Sequence, residues 1–244
     1  MKNKKIKNKI YICIILIVAV LLSSLFLLQT NKAKFVPSEK NEEISSANLY
    51  NEEPKSLDYW QEINNDVKFM LNINGKAFPV LYNEDRYYYL RRDIFGKDDV
   101  YGSVFLDNMT TNDTQNLIIY GHSTFNKDLI FTFVDKYFED ENYYKNNSNF
   151  SISTNDVNLD YKIIGIKKLD TNIEPWLGWY IPNTDDGFDI VEFGTMLLEN
   201  SDKVLTDKLK VNKPFITLVT CDMDSYNKQS NDTRFRYLLF AQQQ

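Results

Sequence analysis

From Asp66 onward the chain is a succession of short runs rich in β-branched and aromatic residues, and that pattern confines it to a mostly-β fold. The runs predict strands at Val67–Ile73, Phe78–Leu81, Tyr87–Leu90, Ser103–Leu106, Leu117–Tyr120, Phe150–Ser153, Tyr161–Lys168, Ile216–Thr220 and Phe235–Ala241. Asn74-Gly75, between the first two, predicts a tight hairpin. Helices are expected at Glu42–Tyr50, at Leu57–Asn65 with Ser56 as N-cap, and at Asp128–Tyr137. A further helix is expected at Phe188–Asn200, where Phe188, Val191, Phe193, Met196 and Leu197 fall at helical spacing. It lies in the long connection from Asp170 to Pro214, and connections of that length in a compact domain are often functional. The whole reads as one mostly-β domain, arranged as a barrel.

The N-terminus has a different character. Lys2, Lys4, Lys5, Lys7 and Lys9 precede an uncharged run, Ile10–Leu28. As a helix this run would reach about 28 Å, close to the hydrocarbon thickness of a bilayer. A signal peptide has a shorter apolar core and a small-residue cleavage site, which Gln29-Thr30-Asn31-Lys32 does not supply. The expectation is therefore a single-pass cell-membrane protein with a cytoplasmic tail (1–9), a transmembrane anchor (10–28), a juxtamembrane linker (29–56) and an extracellular domain (57–244). Residues 1–28 hold five lysines and no acid, which leaves 23 basic against 34 acidic residues in the body. So acidic a surface argues against nucleic acid as a partner.

Cysteine and histidine counts narrow the chemistry. Two cysteines and one histidine can build neither a disulfide scaffold nor a Cys/His structural zinc site, and Cys13 belongs to the N-terminal apolar run. That leaves Cys221 and His122, each just past the end of an apolar strand, with Arg234 and Arg236 at the start of the last strand. Even spacing puts both arginines on one strand face. A thiol is a good nucleophile only as thiolate, which a neighbouring imidazolium and guanidinium would stabilise. The imidazole can then protonate a leaving amine while the guanidinium holds an oxyanion. Simpler readings compete: a cysteine is often a small buried hydrophobe, a histidine after a strand a turn residue, and paired arginines the guard of a solvated edge. Against them stands the rarity of unpaired thiols in exported domains.

The ordered set resembles a sortase, the cysteine transpeptidases of Gram-positive bacteria. Ile216-Thr217-Leu218-Val219-Thr220-Cys221 is similar to the family's TLxTC signature, Asn116–His122 to its histidine strand, and Arg236–Ala241 to its arginine strand. Asn65-Asp66-Val67, Tyr88-Tyr89-Leu90 and Gly102–Asp107 look like class B members in particular. The resemblance implies a closed β-barrel of about eight strands with N-terminal helices and a helix in the long loop before the cysteine strand. It implies His122, Cys221 and Arg236 as catalytic residues, with Arg234 the alternative arginine. It further implies cleavage after threonine in an NPxTx-like C-terminal sorting motif of secreted proteins, through a thioester, and transfer to a peptidoglycan-precursor amine. No metal or other cofactor is expected. Thr220 and Ser123 are candidates for oxyanion or substrate contacts, and Tyr120, Trp176, Trp179 and Tyr180 for the walls of a peptide groove. Asp222 would tune the charge of its neighbour or serve as a turn acid. The alternatives are a thiol hydrolase without transfer, whose usual cysteine-before-histidine order is reversed here, and a non-enzymatic tethered β-barrel binding module.

Overall fold

The structure, a computed structural model, describes residues 54–123, 130–172, 189–206, 208–223, 226–227 and 232–244. The chain divides into two units, Met1–Glu42 and Glu43–Gln244, and the first lies wholly outside the described residues. So does the expected helix at Glu42–Tyr50. The expectation of a single-pass membrane location is overturned: among the described residues no helix is long and apolar enough to cross a membrane. The longest of them, Ile190–Glu199, has 10 residues, about 15 Å, or half of what a bilayer core requires. The apolar run at 10–28 lies outside the described residues.

In chain order the strands are β1 (Val67–Ile73), β2 (Lys76–Leu81), β3 (Val104–Leu106), β4 (Asn116–Tyr120), β5 (Asn149–Ser153), β6 (Asn158–Asp170), β7 (Lys203–Val204), β8 (Phe215–Cys221), β9 (Tyr226–Asn227), β10 (Asp232–Thr233) and β11 (Phe235–Gln243). The helices are α1 (Leu57–Ile63), α2 (Val134–Glu139), α3 (Glu141–Asn146) and α4 (Ile190–Glu199). The order β11-β8-β4-β3-β2-β1-β5-β6, with β6 pairing back onto β11, closes an eight-stranded barrel. β7 is an extra strand on β6. The β2–β3 and β4–β8 pairs are parallel and the others antiparallel.

Local chemistry explains the elements. Asn74 and Gly75 sit at φ 53° and 73°, the paired left-handed geometry that Asn-Gly accepts, and so turn β1 into β2. Ser56 Oγ accepts from Tyr59 N at 3.2 Å and starts α1, as its position before the helix predicts. Asp189 caps α4 by accepting from Val191 N at 2.8 Å and Glu192 N at 3.1 Å. The helix expected at Asp128–Tyr137 begins later, at Val134, and a second helix follows it.

Alternation along the strands sorts the apolar side chains into three groups. One parity from every barrel strand, including Phe69, Phe78, Ile119, Leu218 and Leu239, fills the interior. The opposite parity faces outward and forms two pads. On one, Val67, Met70, Leu81 and Phe105 meet Leu57 and Trp60 of α1. On the other, Ile118, Phe215, Val219, Leu238 and Phe240 meet Phe193 and Leu197 of α4.

The segment Tyr87–Leu90, expected to be a strand, is a 3₁₀ turn at Tyr88–Leu90. Tyr89 is pulled into the α1 pad, where its hydroxyl donates to Asp66 Oδ2 at 2.6 Å and accepts from Asn64 Nδ2 at 3.0 Å. Burial first, and then the Asp66 bond, push the Tyr89 phenol well above its ordinary pKa, so it stays a donor.

Candidate active site

Cys221 is the last residue of β8, and directly opposite it on β11 is Arg236. Asp222 N donates to Phe235 O at 3.0 Å, which marks the next pair as hydrogen-bonded. The Cys221–Arg236 pair is therefore of the closer, non-hydrogen-bonded kind, in which side chains on one face approach most nearly. On the other side of β8 runs β4, parallel to it, with Tyr120 opposite Val219. Gly121 N donates to Val219 O at 3.1 Å and extends this ladder by a step, which delivers His122 beside the end of β8. Phe131 N donates to His122 O at 3.1 Å and ties Phe131 to the site.

Parity then decides the face. Tyr120, Val219 and Leu238 belong to or pack on the α4 pad, so His122, Cys221 and Arg236 continue an outward-facing set. They open into a cleft of about 210 Å³ rather than into the barrel. Its walls include Arg86, Tyr87, Leu90, Phe105, Tyr120 and Thr220 alongside those three residues. Cys221 is half-buried and is a free thiol among the described residues.

His122 is half-buried, with Nε2 2.7 Å from Leu90 O. Burial pushes its imidazole below the ordinary histidine value and outweighs the Leu90 bond, which raises it; Arg91 and Arg236 press downward and Asp99 upward.

The two arginines part company. Arg234 lies in a bend before β11, and its guanidinium makes a bidentate bond with Asp170 at the end of β6. That bond leads the causes that hold Asp170 below the usual carboxylate range. The expectation that both arginines share a strand face fails because the strand does not extend through Arg234. Arg236 lines the cleft.

Among the secondary candidates, Thr220 lines the cleft, and its hydroxyl oxygen is buried with no hydrogen-bond partner among the described residues. Tyr120 also lines it, but its hydroxyl donates to Asp107 Oδ2 at 2.8 Å and is thereby committed to the wall. Burial and the Asp107 charge push that phenol far up. Ser123 is half-buried and is not one of the cleft-lining residues. Trp176, Trp179 and Tyr180 lie outside the described residues. Asp222 turns to the other side of β8, where it is buried and paired with Lys168 Nζ at 2.9 Å.

Sequence reasoning missed one cluster. Asp107, 2% exposed, accepts from Arg86 Nη2 at 3.0 Å as well as from Tyr120, so a compensated ion pair underlies one wall of the cleft. Its members lie 21 and 13 residues apart on separate elements, and no local spacing announces them. Among the described residues no group of acids, histidine and cysteine could hold a metal ion.

No family model matches the chain. The chain is similar to Sortase B of Listeria monocytogenes, 27% identical over 189 residues, which cover 75% of this chain and 73% of that protein. The solved structure of Clostridium perfringens sortase B superposes with a TM-score of 0.67 at 22% identity, covering 78% of this chain and 100% of that one. A Staphylococcus aureus sortase B-substrate complex superposes with a TM-score of 0.65 at 20% identity, covering 77% and 84%.

Proposed function

The chain has the sortase fold and its likenesses support a cysteine transpeptidase of class B, and from that premise we propose that residues 57–244 form the catalytic domain, with Cys221 as nucleophile, His122 as proton carrier and Arg236 as oxyanion partner. The observation that carries the assignment is the convergence of three strand ends, those of β4, β8 and β11, on one outward cleft. The substrate is the C-terminal sorting motif of a secreted protein, of the NPxTx kind, cleaved after threonine. The Staphylococcus aureus relative was solved as a sortase B-substrate complex, which supports a substrate-binding role for this chain.

The Cys221 sulfur attacks the threonine carbonyl, and its proton passes to His122. The carbon–sulfur bond forms, charge collects on the carbonyl oxygen, and the Arg236 guanidinium offsets it. As the carbon–nitrogen bond breaks, His122 returns the proton to the leaving amine. The nitrogen of a cell-wall amine then attacks the thioester carbonyl and gives a proton to His122; as the carbon–nitrogen bond forms and the carbon–sulfur bond breaks, His122 returns that proton to the leaving sulfur.

The test is mass spectrometry of the full chain incubated with an NPxTx peptide. A peptide acyl group on Cys221, and a transfer product on adding an amine, are expected. Cleavage that yields acid alone, whatever the amine concentration, would identify a hydrolase. A peptide that binds without acylation would identify a binding module.

A further inference from the structure

The contact between His122 Nε2 and Leu90 O decides more than orientation. A backbone carbonyl can only accept, so at 2.7 Å the ring nitrogen facing it carries a hydrogen. Neutral imidazole has one N–H, which leaves Nδ1 as the bare nitrogen.

The segment that carries the Leu90 carbonyl is itself held from several directions. Leu90 N donates to Tyr87 O at 3.2 Å, and Ser103 N donates to Tyr89 O at 3.0 Å. The Tyr89 ring is anchored in the α1 pad through Asp66 and Asn64. Gly102 closes the arrangement. Its φ is +55°, and a Cβ placed there would fall 2.6 Å from Leu90 O and 2.5 Å from Tyr89 O, closer than real Cβ contacts come. Only glycine lets the chain pass under these two carbonyls. Any side chain at 102 displaces the group that His122 leans on.

We propose that the Leu90 carbonyl, kept in place by Gly102, fixes His122 as the Nε2–H tautomer, so that Nδ1 is the atom that exchanges protons in the cleft. Its mechanistic consequence rests on the transpeptidase reading. Nδ1 takes the thiol proton as the carbon–sulfur bond forms, and the same Nδ1–H supplies the leaving amine as the carbon–nitrogen bond breaks. Nε2–H remains on Leu90 O throughout. Gly102 is thus a positioning residue that touches neither substrate nor thiol. Arg91, Asp99 and Arg236 act on whether the ring is charged, and the carbonyl acts on which nitrogen is bare when it is not.

The chain has a single histidine, so its two ring nitrogens can be read without assignment in the full chain labelled with ¹⁵N-histidine. At about pH 8, where imidazole is neutral, long-range proton–nitrogen spectra should show a pyrrole-type Nε2 and a pyridine-type Nδ1. Gly102→Ala should move the populations toward the mixture of a free imidazole and lower kcat by about tenfold to a hundredfold, with KM nearly unchanged. A protonated Nδ1 in the unmodified chain overturns the proposal, as does a Gly102→Ala protein whose tautomer is unaltered. Should Gly102→Ala not fold, the spectrum of the unmodified chain alone decides. Should that spectrum show the Nε2–H form in a protein that forms no thioester, the positioning stands and the transpeptidase reading falls.

Discussion

The two outer pads of the barrel are built differently. The α1 pad is laced with polar bonds: Asn64 reaches both Tyr89 and the Ile94 carbonyl, Asp66 holds Tyr89, and Gln61 donates to Val67 O. The α4 pad is almost wholly apolar, with Phe193 edge-on to Phe215 at 5.5 Å between ring centroids. Cys221, His122 and Arg236 extend the strands of the α4 pad, whereas Leu90 belongs to the segment anchored by the α1 pad. Tyr120 packs on both, and the cleft opens at that seam. Cys221 and His122, the proposed nucleophile and proton carrier, are thus supported from one pad, and the Leu90 carbonyl proposed to orient His122 from the other.

Four experiments would break or sharpen this division. Cys221→Ala should abolish acylation, a loss of about a thousandfold or more, and leave thermal stability close to that of the unmodified chain. Residual transfer at a tenth of the original rate would remove the α4 side from the chemistry. Next in size, Leu197→Ala under the α4 pad and Trp60→Ala under the α1 pad should each cost about 3 kcal/mol in denaturant unfolding, because both are buried in apolar clusters. If the pads act separately, the two costs add in the double variant; strong non-additivity would mean a single cooperative layer. Third, Arg236→Ala should lower kcat about a hundredfold, while Arg234→Ala should leave it within a few-fold, since Arg234 is spent on Asp170. Equal losses would show that the arginine assignment is wrong.

The smallest effect is the pH dependence of folding. His122 has a folded-state pKa below its unfolded value of about 6.5, so above that pH the group contributes no difference. As pH falls below it the unfolded chain takes up a proton that the folded chain resists, and stability declines. Between about pH 6.5 and 5, a His122→Asn protein should therefore lose less thermal stability than the unmodified chain. Parallel curves would mean that the ring is not desolvated in the cleft.

The strands that end at the cleft were readable from residue types because their inward and outward parities both meet apolar layers. Ile216–Thr220 and Phe235–Ala241 needed only to be lengthened by a residue or two. Asn74-Gly75 was readable because a two-residue turn is a local matter. Tyr87–Leu90 was not, because three tyrosines in a row have strand composition and only the distant Asp66 and Asn64 fold them into a turn. Even spacing of Arg234 and Arg236 misled for a related reason: periodicity holds only while the strand lasts, and Asp170 pulls Arg234 out of it. The Arg86–Asp107–Tyr120 cluster and the Leu90 carbonyl are products of tertiary packing, and the carbonyl, being backbone, leaves no mark on the sequence.

The closing of the barrel has a consequence for the order in which a ribosome can deliver a working molecule. Seven of the eight barrel strands can be made and paired in part before β11 exists, yet β6 and β8 both wait for it. Arg236 travels on that same strand, opposite Cys221. An intermediate with β8 paired to β4 but β11 not yet in place therefore holds Cys221 near His122 without Arg236. Closure of the barrel and assembly of the three cleft residues thus coincide, and a chain without β11 in place carries the proposed nucleophile but not the group proposed to complete it.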